Sequence, residues 1–102
     1  MVDVFAALAD PTRRALLAQL QRDGQRTVSE LVAANAVSQP AISRHLRVLR
    51  EAGLVTARQD GRQRRYRVEA DGLLPLFGYL TTFWGQRLDA LAAVLDDLEE
   101  GS

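Results

Sequence analysis

The stretch Ser38-Gln39-Pro40-Ala41-Ile42-Ser43-Arg44-His45-Leu46-Arg47-Val48-Leu49 decides how the rest of this chain is read. Ser38 is a helix-capping residue, and Pro40 is tolerated in a first turn, where its missing N–H has no partner to lose. Ile42, Leu46 and Leu49 recur at helical spacing up to a stop at Gly53. With about 100° of rotation per residue, Pro40, Ser43, Arg44, Arg47 and Glu51 share one side and the three aliphatics the other. The spacing predicts an amphipathic helix with a polar, largely basic outer face. Gln39, Ser43, Arg44 and Arg47 carry groups that hydrogen-bond to base edges and phosphates, Arg matching guanine and Gln adenine. His45 falls at the boundary of the two faces, where it either reaches DNA or is part-buried. An ordinary solvated helix face is the alternative.

Upstream, Ser29 can cap a helix of about two turns over Glu30 to Ala34, which Asn35 can end in the left-handed region. Two short helices joined by a tight turn, the second with a polar outer face, make a helix-turn-helix. Further back, Asp10 and Pro11 open a helix from about 11 to 22 with Ala15, Leu16 and Leu20 inward, closed by Asp23-Gly24. A linker runs from there to Val28. The apolar stretch from Val4 to Leu8 is too short to stand as a helix alone.

Downstream the period changes from helical to alternating. Leu54 to Gln59 and Arg62 to Val68 flank Asp60-Gly61, a strong signal for a two-residue hairpin turn. Pairing about that turn sets Val55 opposite Tyr66. It collects Val55, Ala57, Tyr66 and Val68 on one face and Arg58, Arg65 and Arg67 on the other, with Arg62 and Arg64 crowding the tip. A basic ribbon directly after such a helix reads as a wing straddling a phosphate backbone, over about 54–68. A charged edge that blocks strand-to-strand aggregation is the alternative.

A last helix is expected from about 72 to 98, capped by Asp71. Its stripe of Phe77, Leu80, Trp84, Leu88, Leu91, Leu95 and Leu98 steps by threes and fours. Such a helix outreaches the preceding segment, so part of it should pack against a second subunit. Val4, Phe5 and Leu8 are expected to join that interface, with Leu80, Trp84, Leu88, Leu91 and Leu95. The fold expected is mainly α with a small β-hairpin: a winged helix-turn-helix, dimeric through its first and last helices. It forms a single domain over 1–102.

The 102 residues have zero formal net charge, but the charge is segregated. Residues 1–37 hold four Arg and four acids, 38–67 hold eight Arg against Glu51 and Asp60, and 68–102 hold Arg87 against seven acids. A basic middle on a neutral chain points to a local surface for a polyanion. With no cysteine there is no disulfide, thiolate metal site or thiol switch. The start lacks the basic region of a signal peptide, and no apolar run approaches the roughly 20 residues needed to span a bilayer. The reading is a soluble, cytoplasmic protein with no membrane partner. An enzyme is excluded because His45, the only histidine, lies in the outward-reading helix and a chain this small forms little pocket. A winged-helix module that binds protein rather than DNA is the competing class.

Phe5 to Arg14, Val28-Ser29-Glu30-Leu31, Ser38 to Leu49, Gly53-Leu54-Val55 and Gly61-Arg62 to Tyr66 together resemble the ArsR/SmtB family of winged helix-turn-helix repressors. The resemblance implies a homodimer on a palindromic double-stranded DNA operator. It puts Gln39, Ser43, Arg44 and His45 at DNA-contacting positions. With the flanking polar and basic residues, the expected DNA-binding set is Ser38, Gln39, Pro40, Ser43, Arg44, His45, Arg47, Arg58, Arg62, Arg64 and Arg65. Metal-sensing members often carry a cysteine pair before and at the start of the third helix, where this chain has Thr27 and Ser29. The chain is thus similar to the metal-independent branch, with no metal, no cofactor and no identified small-molecule effector.

Overall fold

The computed structural model describes residues 2–101, the side chains of residues 88 and 100 excepted. The order is α1 (Val4–Leu8), α2 (Pro11–Asp23), β1 (Arg26–Thr27), α3 (Val28–Ala34), α4 (Gln39–Glu51), β2 (Val55–Asp60) and β3 (Gln63–Val68). A 3-10 turn (Ala70–Leu73), α5 (Leu74–Trp84) and α6 (Gln86–Gly101) complete it.

Local chemistry sets most of these boundaries. The Asp10 carboxylate accepts from the backbone N–H groups of Thr12 at 2.8 Å and Arg13 at 3.1 Å, opening α2 with Pro11 in its first turn. The cap of helix α3 lies two residues before the expected Ser29. Thr27 caps it in a reciprocal box with Glu30, because Thr-Val-Ser-Glu places a carboxylate three residues after a hydroxyl. Asn35 does not enter the left-handed region; it is extended at φ −133°. Its side-chain amide instead exchanges two 2.9 Å hydrogen bonds with Gln19 and donates to the Leu31 carbonyl at 2.7 Å, tying α2 to the end of α3. Gly53, at φ +79°, ends α4: its N–H reaches the Arg50 carbonyl and that of Leu54 the Leu49 carbonyl, the paired closure that a left-handed glycine permits.

The hairpin forms, with one correction to its register. Val55 pairs with Val68 and Ala57 with Tyr66, so the two-residue turn is Gly61-Arg62 rather than Asp60-Gly61. Gly61 carries the positive φ of +62° at the first central position, and no residue other than glycine among those described has positive φ. A turn centred on Asp60-Gly61 of the common hairpin type would have required it at Asp60 as well. The slip is two residues in the pairing, so every side chain keeps its expected face. A third strand unread in the sequence, β1, pairs antiparallel with β3 through Arg26–Tyr66 and Thr27–Arg65, giving the order β1-β3-β2.

The core gathers Val4 and Ala7 of α1, Leu16 and Leu20 of α2, Leu31 of α3, Ile42, Leu46 and Leu49 of α4, and Leu54, Val55 and Tyr66. Val4, expected at the dimer interface, is therefore packed inside its own protomer and only 6% exposed. Phe5 stays exposed and Leu8 is half-buried.

The last helix is not continuous. Asp71 lies within the 3-10 turn, and α5 ends at Gly85, which takes φ +47° while its N–H closes on the Thr81 carbonyl at 2.9 Å. Thr81 and Thr82 both donate their hydroxyls to the Gly78 carbonyl, a back-bonding pattern that bends helices. Glycine then supplies the conformation at which the chain restarts as α6. Leu88 lies in α6, but its side chain is outside the described residues.

One close approach fixes how the wing leads into α5. Glu69 donates its N–H to the Leu54 carbonyl at 2.8 Å, and a methyl group at Gly72 would fall on the carbonyl of Gly53. Gly72→Ala is therefore expected to destabilise the fold by about 1–3 kcal/mol, because the obstacle is backbone that cannot step aside. Urea unfolding checks this, with Gly78→Ala, whose added methyl meets nothing within 4 Å, as the control.

Candidate nucleic-acid interface

Helix α4 buries Ile42, Leu46 and Leu49 completely, and this anchoring turns its opposite face outward. The wing folds back beside that face. Between them lies an open groove of about 630 Å³ that gathers Pro40, Ser43, Arg44, Arg47 and Arg50 from α4 with Arg62, Gln63 and Arg64 from the wing. Thr27, Val28, Ser29 and Tyr66 also line it. Five arginines thus share one concavity without an acidic lining residue. Among the described residues none of the five lies within ion-pair distance of a carboxylate. Arg64 is held over the Tyr66 ring, 5.8 Å from its centroid, so one wing charge is steadied by an aromatic face. Clustered cations of this kind repel one another until a polyanion neutralises them.

Five of the expected contact residues lie outside the groove lining. His45 is half-buried and turned toward α2, where its Nδ1 lies 3.4 Å from Arg13 Nη1. Arg13 in turn donates to the Ala7 carbonyl at 2.6 Å and the Ala6 carbonyl at 3.1 Å, so His45 helps seat α4 on α1 and α2 instead of opening into the groove. Arg58 and Arg65 pair across the strands on the sheet face away from α4. Arg65 is bound there by Asp60 at 2.9 Å and Glu30 at 3.8 Å, which takes its charge out of the groove. Ser38 and Gln39 are exposed at the N-terminus of α4, beyond the groove lining, and Ser38 Oγ accepts from the Ala41 N–H at 3.4 Å as the helix cap.

The sequence reading missed Arg50. The rotation that placed Ser43 on the outer side puts Arg50 only about 20° from it, so the signal was present. It also missed Thr27 as a structural residue. Glu30 receives the Thr27 N–H and hydroxyl and lies beside Arg26 and Arg65. The hydrogen bonds from Thr27, backbone first, and then the charges of Arg26 and Arg65 hold the Glu30 carboxyl below its ordinary range. This box joins the first helix of the helix-turn-helix to the wing strand. Among the described residues no group of histidine, cysteine, aspartate or glutamate has the arrangement of a metal site. No described helix is long and apolar enough to cross a membrane.

Residues 10–57, which include both helices of the helix-turn-helix, match the model of the bacterial regulatory protein arsR family. The chain is 42% identical over 92 residues to the HTH-type transcriptional regulator Rv2034 of Mycobacterium tuberculosis, covering 90% of this chain and 85% of that one. Several other curated relatives match over a shorter region, and the chain spans about half of their length. A crystal structure of a possible transcriptional regulator for arsenical resistance superposes with a TM-score of 0.73 at 48% identity, covering 91% of this chain and 96% of that one. The solution structure of a homodimeric winged helix-turn-helix DNA-binding domain from Mycobacterium bovis matches with a TM-score of 0.63 at 30% identity, over 92% of this chain and 75% of that one. With both helices of its helix-turn-helix inside the matched region and its similarity to known regulators running along most of its length, the protein is a member of the ArsR family of bacterial transcriptional regulators.

Proposed function

We propose that two copies of this chain bind a palindromic DNA operator and repress transcription by covering promoter sequence that polymerase needs. The observation that carries the reading is the groove between α4 and the wing, where five arginines converge without carboxylate partners among the described residues. In this reading α4 enters the major groove. Ser43 and Arg44 face base edges with Gln39 at the leading end, while Arg47, Arg50, Arg62 and Arg64 hold flanking phosphates. The wing lies along the backbone.

Support for the dimer comes from the apolar surface. Ten of the eleven exposed large apolar side chains described lie on α5 and α6, and Phe5 of α1 is the other. Phe5, Tyr79 and Phe83 form an edge-to-face chain with centroids 5.2 and 5.1 Å apart. An apolar surface of this extent is what a partner subunit covers. Phe5, Leu8, Leu80, Trp84, Leu91 and Leu95 are the expected contacts, with Leu88, whose side chain lies outside the described residues. The similar domain from Mycobacterium bovis is homodimeric. A two-fold axis there would set the recognition helices about 34 Å apart, one turn of B-DNA. Thr27, occupied as a helix cap, and Ser29 offer hydroxyls where a metal sensor needs thiolates, which favours a metal-independent regulator.

The test is sequencing of DNA fragments retained by the purified protein, followed by titration of the enriched duplex. Arg44→Ala is expected to relax base preference and weaken the cognate site by about 1–3 kcal/mol. Arg64→Ala should weaken cognate and random duplexes alike. An unchanged specificity ratio in the first, or a loss confined to the cognate site in the second, refutes the assigned roles. Absence of duplex binding even at low salt would favour a protein-binding winged helix instead.

A further inference from the structure

The segment that leads from the wing into α5 walls a second cleft, which shares no lining residue with the arginine groove. Leu8, Leu17, Ala18, Val68 and Leu73 line an open, mainly apolar cleft of about 480 Å³, and Arg14 is its one charged lining residue. That volume falls in the range of small-molecule pockets, about 300–1,000 Å³. No residue of α5 or α6 lines it; of the residues expected at the dimer interface only Leu8 borders it. Arg14 Nη1 donates to the Leu8 carbonyl at 2.7 Å, which holds the guanidinium at the cleft. One bond leaves the other guanidinium N–H groups to spare. Among the described residues no carboxylate lies within ion-pair distance of Arg14. An apolar wall with a lone cation selects an apolar body ending in an anion, and the guanidinium fork matches a carboxylate.

The cleft is also mechanically tied to the recognition helix. Its Leu73 wall belongs to the 3-10 turn, which is anchored by the Glu69–Leu54 hydrogen bond and by Gly72 against Gly53, the residue that ends α4. Its other wall is α2, whose Leu16 and Leu20 share a core with Leu46 and Leu49 of α4. A ligand that parts the two walls shifts α4 relative to the wing.

We propose that this cleft binds one small apolar monocarboxylate per chain and that its occupancy lowers DNA affinity. The second half rests on the duplex-binding reading above. Binding is measured first without DNA, by calorimetry on the intact chain with sodium decanoate, decanol and acetate as probes. Decanoate is expected to bind one per chain, with decanol and acetate each about tenfold or more weaker. Arg14→Gln should erase the preference for decanoate over decanol, and Ala18→Phe, which fills the cleft, should abolish binding; circular dichroism checks that both variants fold. No decanoate binding, equal binding of decanol and decanoate by the wild type, or binding that survives Ala18→Phe overturns the site. Failure to bind decanoate together with a change in sedimentation on Ala18→Phe would give the cleft to a second copy of the chain.

The enriched duplex is then titrated with and without saturating decanoate, where a loss of about tenfold in affinity is expected. Unchanged duplex affinity with decanoate bound overturns the regulatory half. If the unliganded protein binds no duplex, the DNA reading and the regulation fall together, while the calorimetry still decides the site.

Discussion

Raising salt from about 50 to 200 mM is expected to weaken duplex binding by about 10³-fold or more, because binding six to ten phosphates releases a matching number of counterions. Each groove gathers five arginines, so a pair of subunits brings ten, enough for that range even if the Arg44 pair reads bases. The wing separates this explanation from a diffuse charge effect. Replacing Arg62 and Arg64 together by Ala should flatten the slope of log affinity against log salt by about 0.9 for each phosphate that is no longer neutralised. The same double substitution at Arg58 and Arg65, on the other face of the wing, should change the slope far less, since Arg65 is already neutralised by Asp60 and Glu30. Fluorescence anisotropy across a salt series reads both. Equal slopes in the two double variants would remove the groove as the phosphate-binding surface.

The other large effect is expected at the apolar surface. Leu80→Asp with Trp84→Asp places two charges where the protomer leaves side chains 38% and 51% exposed, so the protomer should still fold. A subunit that must desolvate those carboxylates to pair should stay single. A paired binder gains about 10²- to 10⁴-fold over one half-site because its second contact is intramolecular, and that gain is what the variant should lose. Sedimentation of the variant alone and titration of a full operator against a half-site check it. A monomeric variant that binds the full operator as tightly as the wild type would sink the dimer mechanism.

Much of this molecule was legible because its signals are local. Ser38, Pro40 and the Ile42, Leu46 and Leu49 stripe mark the start and buried face of α4 within a few turns, and Gly53 ends it with the hydrogen bonds a left-handed glycine allows. Alternation put Arg65 on the face opposite Tyr66, and a two-residue register slip could not undo that. Less legible was β1, whose two residues pair with β3 some 40 positions away and carry no period of their own. The Gly85 break was visible as a glycine in an apolar stripe. Yet Gly78, in the same stripe, stays helical, and only backbone geometry separates the two.

The succession of α2, α3, α4 and the hairpin, the inward aliphatics and the charge of the outer faces followed from residue spacing alone, since capping, helical rotation and strand alternation act over a few residues. Which arginines converge was decided by tertiary structure. Packing brings Arg44, Arg47 and Arg50 opposite Arg62 and Arg64, while the Thr27–Glu30 box draws Arg65 away and Arg13 turns His45 inward. The reason is that a charged side chain's partner is whatever the fold places within a few ångströms, and no spacing along the chain specifies that distance.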